Sequence, residues 1–268
     1  MNFAGDFLRR YLDITPAALA LERAIECDIQ SRNEWHEPVL DIGCGDGLFA
    51  KMLCTGQIST GIDPNASEVD CAKETGAYQE LIVCFGDSIP KPDGSYATIV
   101  SNSVLEHIPD LLPVLKEAHR LLSDDGRFYI TVPSDRLELA TAPARLLSAL
   151  GLDALARRYG RFYNRFWRHH HAYDDDGWRR LFNAAGLEVV EHIAYVPRDL
   201  STAYDLMTAL ALPGLVAKKV FNRWILLPGI RPLYAGAVAR ALETLRRSLN
   251  RGDGCLFFYA LKKTTQQS

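Results

Sequence analysis

The chain has 268 residues and a net charge of −3, with 24% charged and 48% hydrophobic residues. That length can bury a substantial core, and the near-balanced charge argues against a general nucleic-acid binder. Six cysteines (Cys27, Cys44, Cys54, Cys71, Cys84 and Cys255) make no Cys-x-x-Cys pair and no zinc spacing, so a reducing compartment and no metal are expected.

From Phe7 to Ile29 apolar residues recur at helical spacing, which predicts one or two helices. Asp6, Asp13, Glu22, Glu26 and Asp28 interrupt this region, so no signal peptide is read and a cytoplasmic location is expected. Val39–Ile42 reads as a first strand, Leu48–Leu53 as a helix and Thr60–Ile62 as a short second strand. Ala66–Thr75 reads as a helix stopped by Gly76. Next come a third strand at Leu81–Phe85, a fourth at Thr98–Ser101, a helix at Leu111–Leu122 and a fifth strand at Arg127–Thr131. Trp178–Ala185 reads as a helix ended by Gly186, followed by strands at Leu187–Tyr195 and Cys255–Leu261. Short strands that are apolar on both faces and separated by helices describe a buried parallel sheet.

Two stretches fall outside that alternation. Residues 134–177 hold a helix-like segment, Ala142–Ala156, then an aromatic and basic run from Arg157 to Tyr173. The run contains Tyr159, Phe162, Tyr163, Phe166, Trp167 and the triplet His169, His170 and His171. Adjacent histidines point in different directions, so hydrogen bonding or exposure is expected for the triplet rather than metal ligation. Residues 198–252 are rich in Leu, Ala and Val and are broken by Pro213, Lys218, Lys219, Arg223, Pro228 and Pro232. No apolar run reaches the roughly eighteen residues that a bilayer span needs.

The chemistry-bearing motif is Val39-Leu-Asp-Ile-Gly-Cys-Gly-Asp-Gly47, with Asp63 twenty residues after Gly43. A strand, a glycine turn and an acid at that offset are how a βαβ unit holds an adenosine ribose. The Gly-x-Gly-x-Gly spacing departs from the dinucleotide pattern, which disfavours a nicotinamide cofactor and a dehydrogenase. Asp41 suits a ligand carrying an ammonium group, and Pro64 stiffens the turn after Asp63. S-adenosylmethionine fits that description.

With these residues the chain resembles the class I S-adenosylmethionine-dependent methyltransferases, over about residues 36–135, 175–196 and 253–263. Further blocks carry the resemblance: Gly86-Asp87-Ser88, the stretch Ile99–His107 with Asn102, Ser103, Glu106 and His107, and Leu121–Ile130. One departure is Ala97 after Tyr96, where the family usually has an acid. The resemblance implies an α/β fold: a Rossmann-like, doubly wound, seven-stranded sheet, mostly parallel with an antiparallel last strand, plus helical cap insertions. It implies a single methyltransferase domain over 1–268, with core 1–133, 178–197 and 253–264 and caps 134–177 and 198–252. Asp41, Gly43, Cys44, Gly45, Gly47, Asp63, Pro64, Gly86, Asp87, Ser88, Asn102 and Ser103 are the implied cofactor contacts, and S-adenosyl-L-homocysteine is the implied product.

A sulfonium already activates its methyl group, so the protein needs to align a nucleophile and exclude water. For a hydroxyl acceptor a base is useful, and His107 is the first candidate, with a loop-capping role as its structural alternative. Glu106 either binds a cationic acceptor or pins the loop. Tyr11, Tyr163, His171 and Tyr173 are candidates for orienting substrate. The aromatic and leucine-rich insertions favour a small or medium-sized acceptor with an apolar or lipid-linked portion, methylated on oxygen, with a saccharide left open. No nucleic acid is expected as partner. The 198–252 stretch reads as a helical cover or homodimer face, or as a peripheral membrane-surface contact through 198–235 at the inner membrane. The competing reading is a catalytically silent binder that holds the cofactor or its product as a sensor or partner subunit.

Overall fold

The computed structural model describes residues 1–210, 231–249 and 253–264. Two helices open the chain, α1 (Phe7–Leu12) and α2 (Ala17–Gln30). Strands and helices then alternate: β1 (Val39–Ile42), α3 (Leu48–Leu53), β2 (Ile58–Asp63), α4 (Ala66–Thr75) and β3 (Tyr78–Val83). They continue with β4 (Tyr96–Asn102), α5 (Leu111–Leu121) and β5 (Leu122–Pro133). Beyond β5 lie α6 (Ala142–Ala149), α7 (Asp153–Trp167), α8 (Asp175–Ala184), β6 (Leu187–Pro197), α9 (Arg198–Leu210), α10 (Arg231–Leu249) and β7 (Gly254–Lys263).

The seven strands form one sheet in the order β3-β2-β1-β4-β5-β7-β6. Neighbours from β3 to β5 pair in parallel, whereas β7 runs antiparallel to both β5 and β6. Strand side chains alternate between two buried layers, as a period of two requires. In β7, Phe258 and Ala260 join the layer with α1 and α2, while Phe257, Tyr259 and Leu261 join the layer with α5 and α8. Chain order reverses between β1 and β4, and ligands of such sheets sit outside the carboxyl ends of the strands at that point.

Local chemistry explains most boundaries. Asn65 Oδ1 accepts from Ser67 N (3.0 Å) and starts α4, and Gly76 ends it at φ 65°. Asp174 Oδ1 accepts from Gly177 N (2.8 Å), so α8 begins before the expected Trp178. The expected Ala142–Ala156 helix is two, because Gly151 turns the chain at φ 74°. The third strand is Tyr78–Val83 rather than Leu81–Phe85; as an edge strand it is only partly covered, and Phe85 falls beyond it, 70% exposed. Tyr96, which precedes Ala97, is buried and its hydroxyl donates to Thr60 Oγ1 (3.0 Å). Lys218, Lys219, Arg223, Pro213 and Pro228, and the side chain of Pro232, lie outside the described residues. Among the described residues no helix is long and apolar enough to cross a membrane.

Candidate functional site

The loop after β1 is built from backbone. Gly43, Gly45 and Gly47 adopt φ 81°, 51° and 75°, which side chains disfavour, and Gly43 N and Cys44 N both donate to Ile62 O at 2.9 Å. A Cβ on Gly43 would run into the Val104 side chain, and one on Gly47 would meet Ala72 Cα at 3.0 Å on α4. A Cβ on Gly45 would meet nothing within 4 Å: it would project into open space beside Asp63. At the end of β2, Asp63 Oδ2 accepts from Gly45 N (3.1 Å) and Oδ1 from Asn65 N (2.8 Å). The two acceptor oxygens keep lone pairs free for a ligand.

This loop forms one wall of a cleft of about 270 Å³ that also takes in Pro64, Phe85, Gly86, Asp87, Val104 and His107. Its donor set suits an adenosyl ligand: a carboxylate for ribose hydroxyls, bare backbone beside it, an exposed aromatic face and a second carboxylate. Ser88 is part of the turn behind, its N–H donating to Phe85 O (3.4 Å). Cys44 is buried with its thiol pKa pushed up by burial, so it packs the loop rather than reacting.

Three sequence candidates have side chains engaged elsewhere. Asp41 is buried beneath the loop, accepts the Tyr78 hydroxyl at 2.6 Å and is absent from the cleft wall. Tyr78 reaches it across Gly61, where any Cβ would meet the ring at 2.7 Å. Burial pushes the Asp41 carboxyl up to about 6 despite that hydrogen bond. Asn102 and Ser103, expected on the cofactor, both give hydrogen bonds to Glu26 of α2: Asn102 Nδ2 to Oε2 at 2.8 Å and Ser103 Oγ to Oε1 at 2.7 Å. Arg23 Nη1 donates to the same carboxylate at 2.7 Å, and Thr131 Oγ1 donates to Asn102 Oδ1 at 3.0 Å. This clamp holds Ser103 in a left-handed conformation, φ 52°, at the tip of β4.

A second cavity, about 300 Å³, lies among α2, α7 and α9. Leu19, Ile25, Leu137, Tyr163, Trp167 and Tyr204 contribute its mostly apolar wall, with Ser103, Glu106, His107 and His169 on the side facing the cleft. Glu22, also on this wall, accepts the Tyr204 hydroxyl at 2.6 Å, and burial raises its carboxyl pKa.

Glu106 and His107 sit on the 3-10 turn Leu105–His107 that follows β4. The Glu106 carboxyl is buried, its Oε2 has no hydrogen-bond partner, and burial pushes its pKa up to about 8. His107 Nδ1 lies 3.3 Å from Arg168 O, and burial lowers its pKa. Burial, then repulsion from His107, brings His169 down to about 4. Although Glu106 Oε1 lies 3.9 Å from His107 Nε2, the pair is no salt bridge at neutral pH, since both groups are held in their neutral forms. Glu106, His107 and His169 bring one ligand-type atom each within 4.8 Å of one another, a juxtaposition that the expectation of no metal had not foreseen.

Of the substrate candidates, Tyr163 lines the second cavity. Tyr11 does not: at 1% exposure it is core, because α1 packs Phe7, Tyr11 and Leu12 against the rest of the molecule. His171 and Tyr173 also stay off both walls. His171 Nδ1 lies 2.9 Å from the Tyr173 hydroxyl and Nε2 lies 2.8 Å from Ile108 O, so they brace the loop after His107. The sequence reading missed Glu22, Arg23, Glu26, Phe85, His169 and Tyr204 as site residues. One signal was available: Glu22 and Glu26 stand four apart, one helical face, within the apolar pattern of α2.

A methyltransferase-domain family model matches residues 8–192. A ubiquinone biosynthesis O-methyltransferase from Coxiella burnetii is 31% identical over 98 residues, 35% of this chain and 42% of that protein, so the match spans less than half of the relative. The protein of the same name from Pseudomonas aeruginosa is 25% identical over 190 residues, 68% of this chain and 77% of that protein. A solved S-adenosylmethionine-dependent methyltransferase from Thermotoga maritima has a TM-score of 0.53 at 16% identity, covering 96% of this chain and 91% of that one. That last likeness is one of fold. The matched residues span the glycine loop, Asp63, Asp87 and the Glu106-His107 turn, and the chain belongs to the methyltransferase-domain family, in its class I S-adenosylmethionine-dependent form.

Proposed function

We propose that this chain transfers a methyl group from S-adenosylmethionine to an oxygen of a small or medium-sized acceptor with apolar surface, bound in the cavity among α2, α7 and α9. The observation that carries the reading is the position of His107, whose side chain borders both the cofactor-type cleft and that second cavity. When bound, the donor supplies a methyl group that its sulfonium has already activated.

What remains for the protein is binding, alignment and removal of one proton. Asp63 and the bare loop at Gly45 hold the adenosyl end. His107 is kept neutral by burial, and with Nδ1–H donating to Arg168 O its Nε2 is free to accept a hydroxyl proton. Glu106, protonated and unengaged at Oε2, offers a hydrogen bond to the acceptor from the same wall. We read residues 134–177 together with α9 as the cap that shuts this space from water, the rest of the expected 198–252 cap lying largely outside the described residues. Leu19, Leu21, Ile25 and Leu137 on the wall favour a greasy acceptor over a saccharide, and the likeness to ubiquinone biosynthesis O-methyltransferases favours oxygen as the atom methylated.

The test is S-adenosylhomocysteine formation with prenylated phenols or quinols against polar saccharides. Turnover confined to the apolar set supports the proposal. Turnover confined to saccharides overturns the acceptor class, and tight donor binding without turnover on either set overturns the catalytic reading in favour of a silent binder.

A further inference from the structure

We propose that the α6–α7 hairpin is a docking face for an anionic lipid bilayer. Leu146, Leu150, Leu152, Leu155, Phe162 and Phe166 all belong to this hairpin, and each is between 44% and 65% exposed. Isolated surface leucines need no explanation, but a cluster of large exposed apolar side chains on one hairpin marks an interaction site.

The periodicity of α7 divides it into three stripes. Ala156, Gly160, Tyr163 and Trp167 recur at helical spacing and turn inward, Ala156 and Gly160 buried, Tyr163 and Trp167 on the wall of the second cavity. Leu155, Phe162 and Phe166 form a second, exposed stripe, with the rings of Phe162 and Phe166 6.1 Å apart. Arg157, Arg158, Arg161 and Arg165 form a third and are exposed; Arg161 lies near enough to Glu138 to favour its charged form. An apolar stripe flanked by exposed arginines is the arrangement of a helix that lies in a bilayer interface, rings among acyl chains and guanidinium groups on anionic headgroups.

Charge discriminates between occupants. A second copy of the same face would oppose one arginine stripe to another. The chain's own residues 211–230 contain Lys218, Lys219 and Arg223 and no acid, so they do not complement it either. An anionic surface does. Because Tyr163 and Trp167 lie on the inward face, a docked hairpin would set the second cavity about 10 Å, one helix diameter, from lipid. That last step rests on the acceptor reading above, whereas docking itself requires no turnover.

The experiment is flotation of the full chain with neutral phosphatidylcholine vesicles and with vesicles containing about one third phosphatidylglycerol. Binding to the anionic vesicles, weakened by salt and slight on neutral ones, is expected. Phe162→Ser with Phe166→Ser, and separately Arg157→Gln with Arg158→Gln and Arg161→Gln, should each reduce partitioning at least roughly tenfold. Both variants should keep wild-type affinity for S-adenosylhomocysteine, which certifies folding. Equal partitioning onto neutral and anionic vesicles, or wild-type partitioning by either variant, overturns the proposal. Dimerisation abolished by the phenylalanine substitutions, with no vesicle binding, would overturn it in favour of a second copy.

Discussion

Asp63→Ala should weaken S-adenosylhomocysteine binding by roughly 2–4 kcal/mol, or about 30- to 1000-fold in Kd. The figure comes from losing a carboxylate that accepts from two ribose hydroxyls, at about 1–2 kcal/mol each in a half-exposed site. The structure adds a scaffolding contribution, because the same carboxylate accepts from Gly45 N at 3.1 Å and Asn65 N at 2.8 Å. Water can replace it at these partly exposed N–H groups, so the stability cost should be only about 1 kcal/mol, a fall in Tm of roughly 2–4 °C. Asp63→Asn keeps the shape and one acceptor oxygen but sets an NH2 against a backbone donor; its affinity should lie between the other two, about tenfold below wild type. Titration calorimetry with the product and thermal denaturation separate the two contributions. A folded Asp63→Ala protein whose Kd stays within about threefold of wild type would refute the placement of the ribose at the end of β2.

Gly45→Val should abolish measurable donor binding, since the left-handed backbone costs roughly 1–2 kcal/mol with a Cβ and the side chain fills the open space beside Asp63; a variant that binds normally would move the ligand elsewhere. His107→Ala should reduce kcat by about 10²–10⁴ while product Kd changes little, and the acid limb of the wild-type pH profile should fall below the ordinary imidazole value because burial lowers this group. Unaltered kcat would return His107 to a loop-capping role. Glu106 has a folded pKa of about 8, above its unfolded value, so its contribution to stability is present in acid and is lost as pH rises through 8. Glu106→Gln removes that loss, and denaturant titrations should show the variant gaining on wild type between pH 5 and 8 by on the order of a few kcal/mol; parallel stability profiles would show the carboxyl to be ionised already.

The cofactor cleft was largely legible because its parts are local. Gly43, Gly45 and Gly47 and the Asp63 offset lie within one βαβ unit, and glycine advertises a backbone conformation directly. Strand cores were found, and β1 with both its ends, while the other strands run past the expected bounds, since residues such as Ile58, Asn102 and Pro133 extend ladders whose partners come from elsewhere in the chain. Leu81–Phe85 was misplaced because Cys84 and Phe85 are apolar, yet Phe85 faces the cleft rather than the core. The second cavity was the least legible part. Glu26 meets Ser103 across 77 positions and Tyr204 meets Glu22 across 182, and no periodicity carries such pairings. Likewise, Tyr11 is a candidate for orienting substrate from sequence, and only the packing shows it to be buried in the core.

The antiparallel strand β7 is made after both of its neighbours yet separates them. Until residues 254–263 leave the ribosome, β5 and β6 each present an open ladder to solvent or to another nascent chain. A premature stop just ahead of Gly254 therefore would not yield a trimmed protein with its donor cleft intact. It would yield two sticky borders with no common neighbour, and inclusion bodies rather than a shortened catalyst.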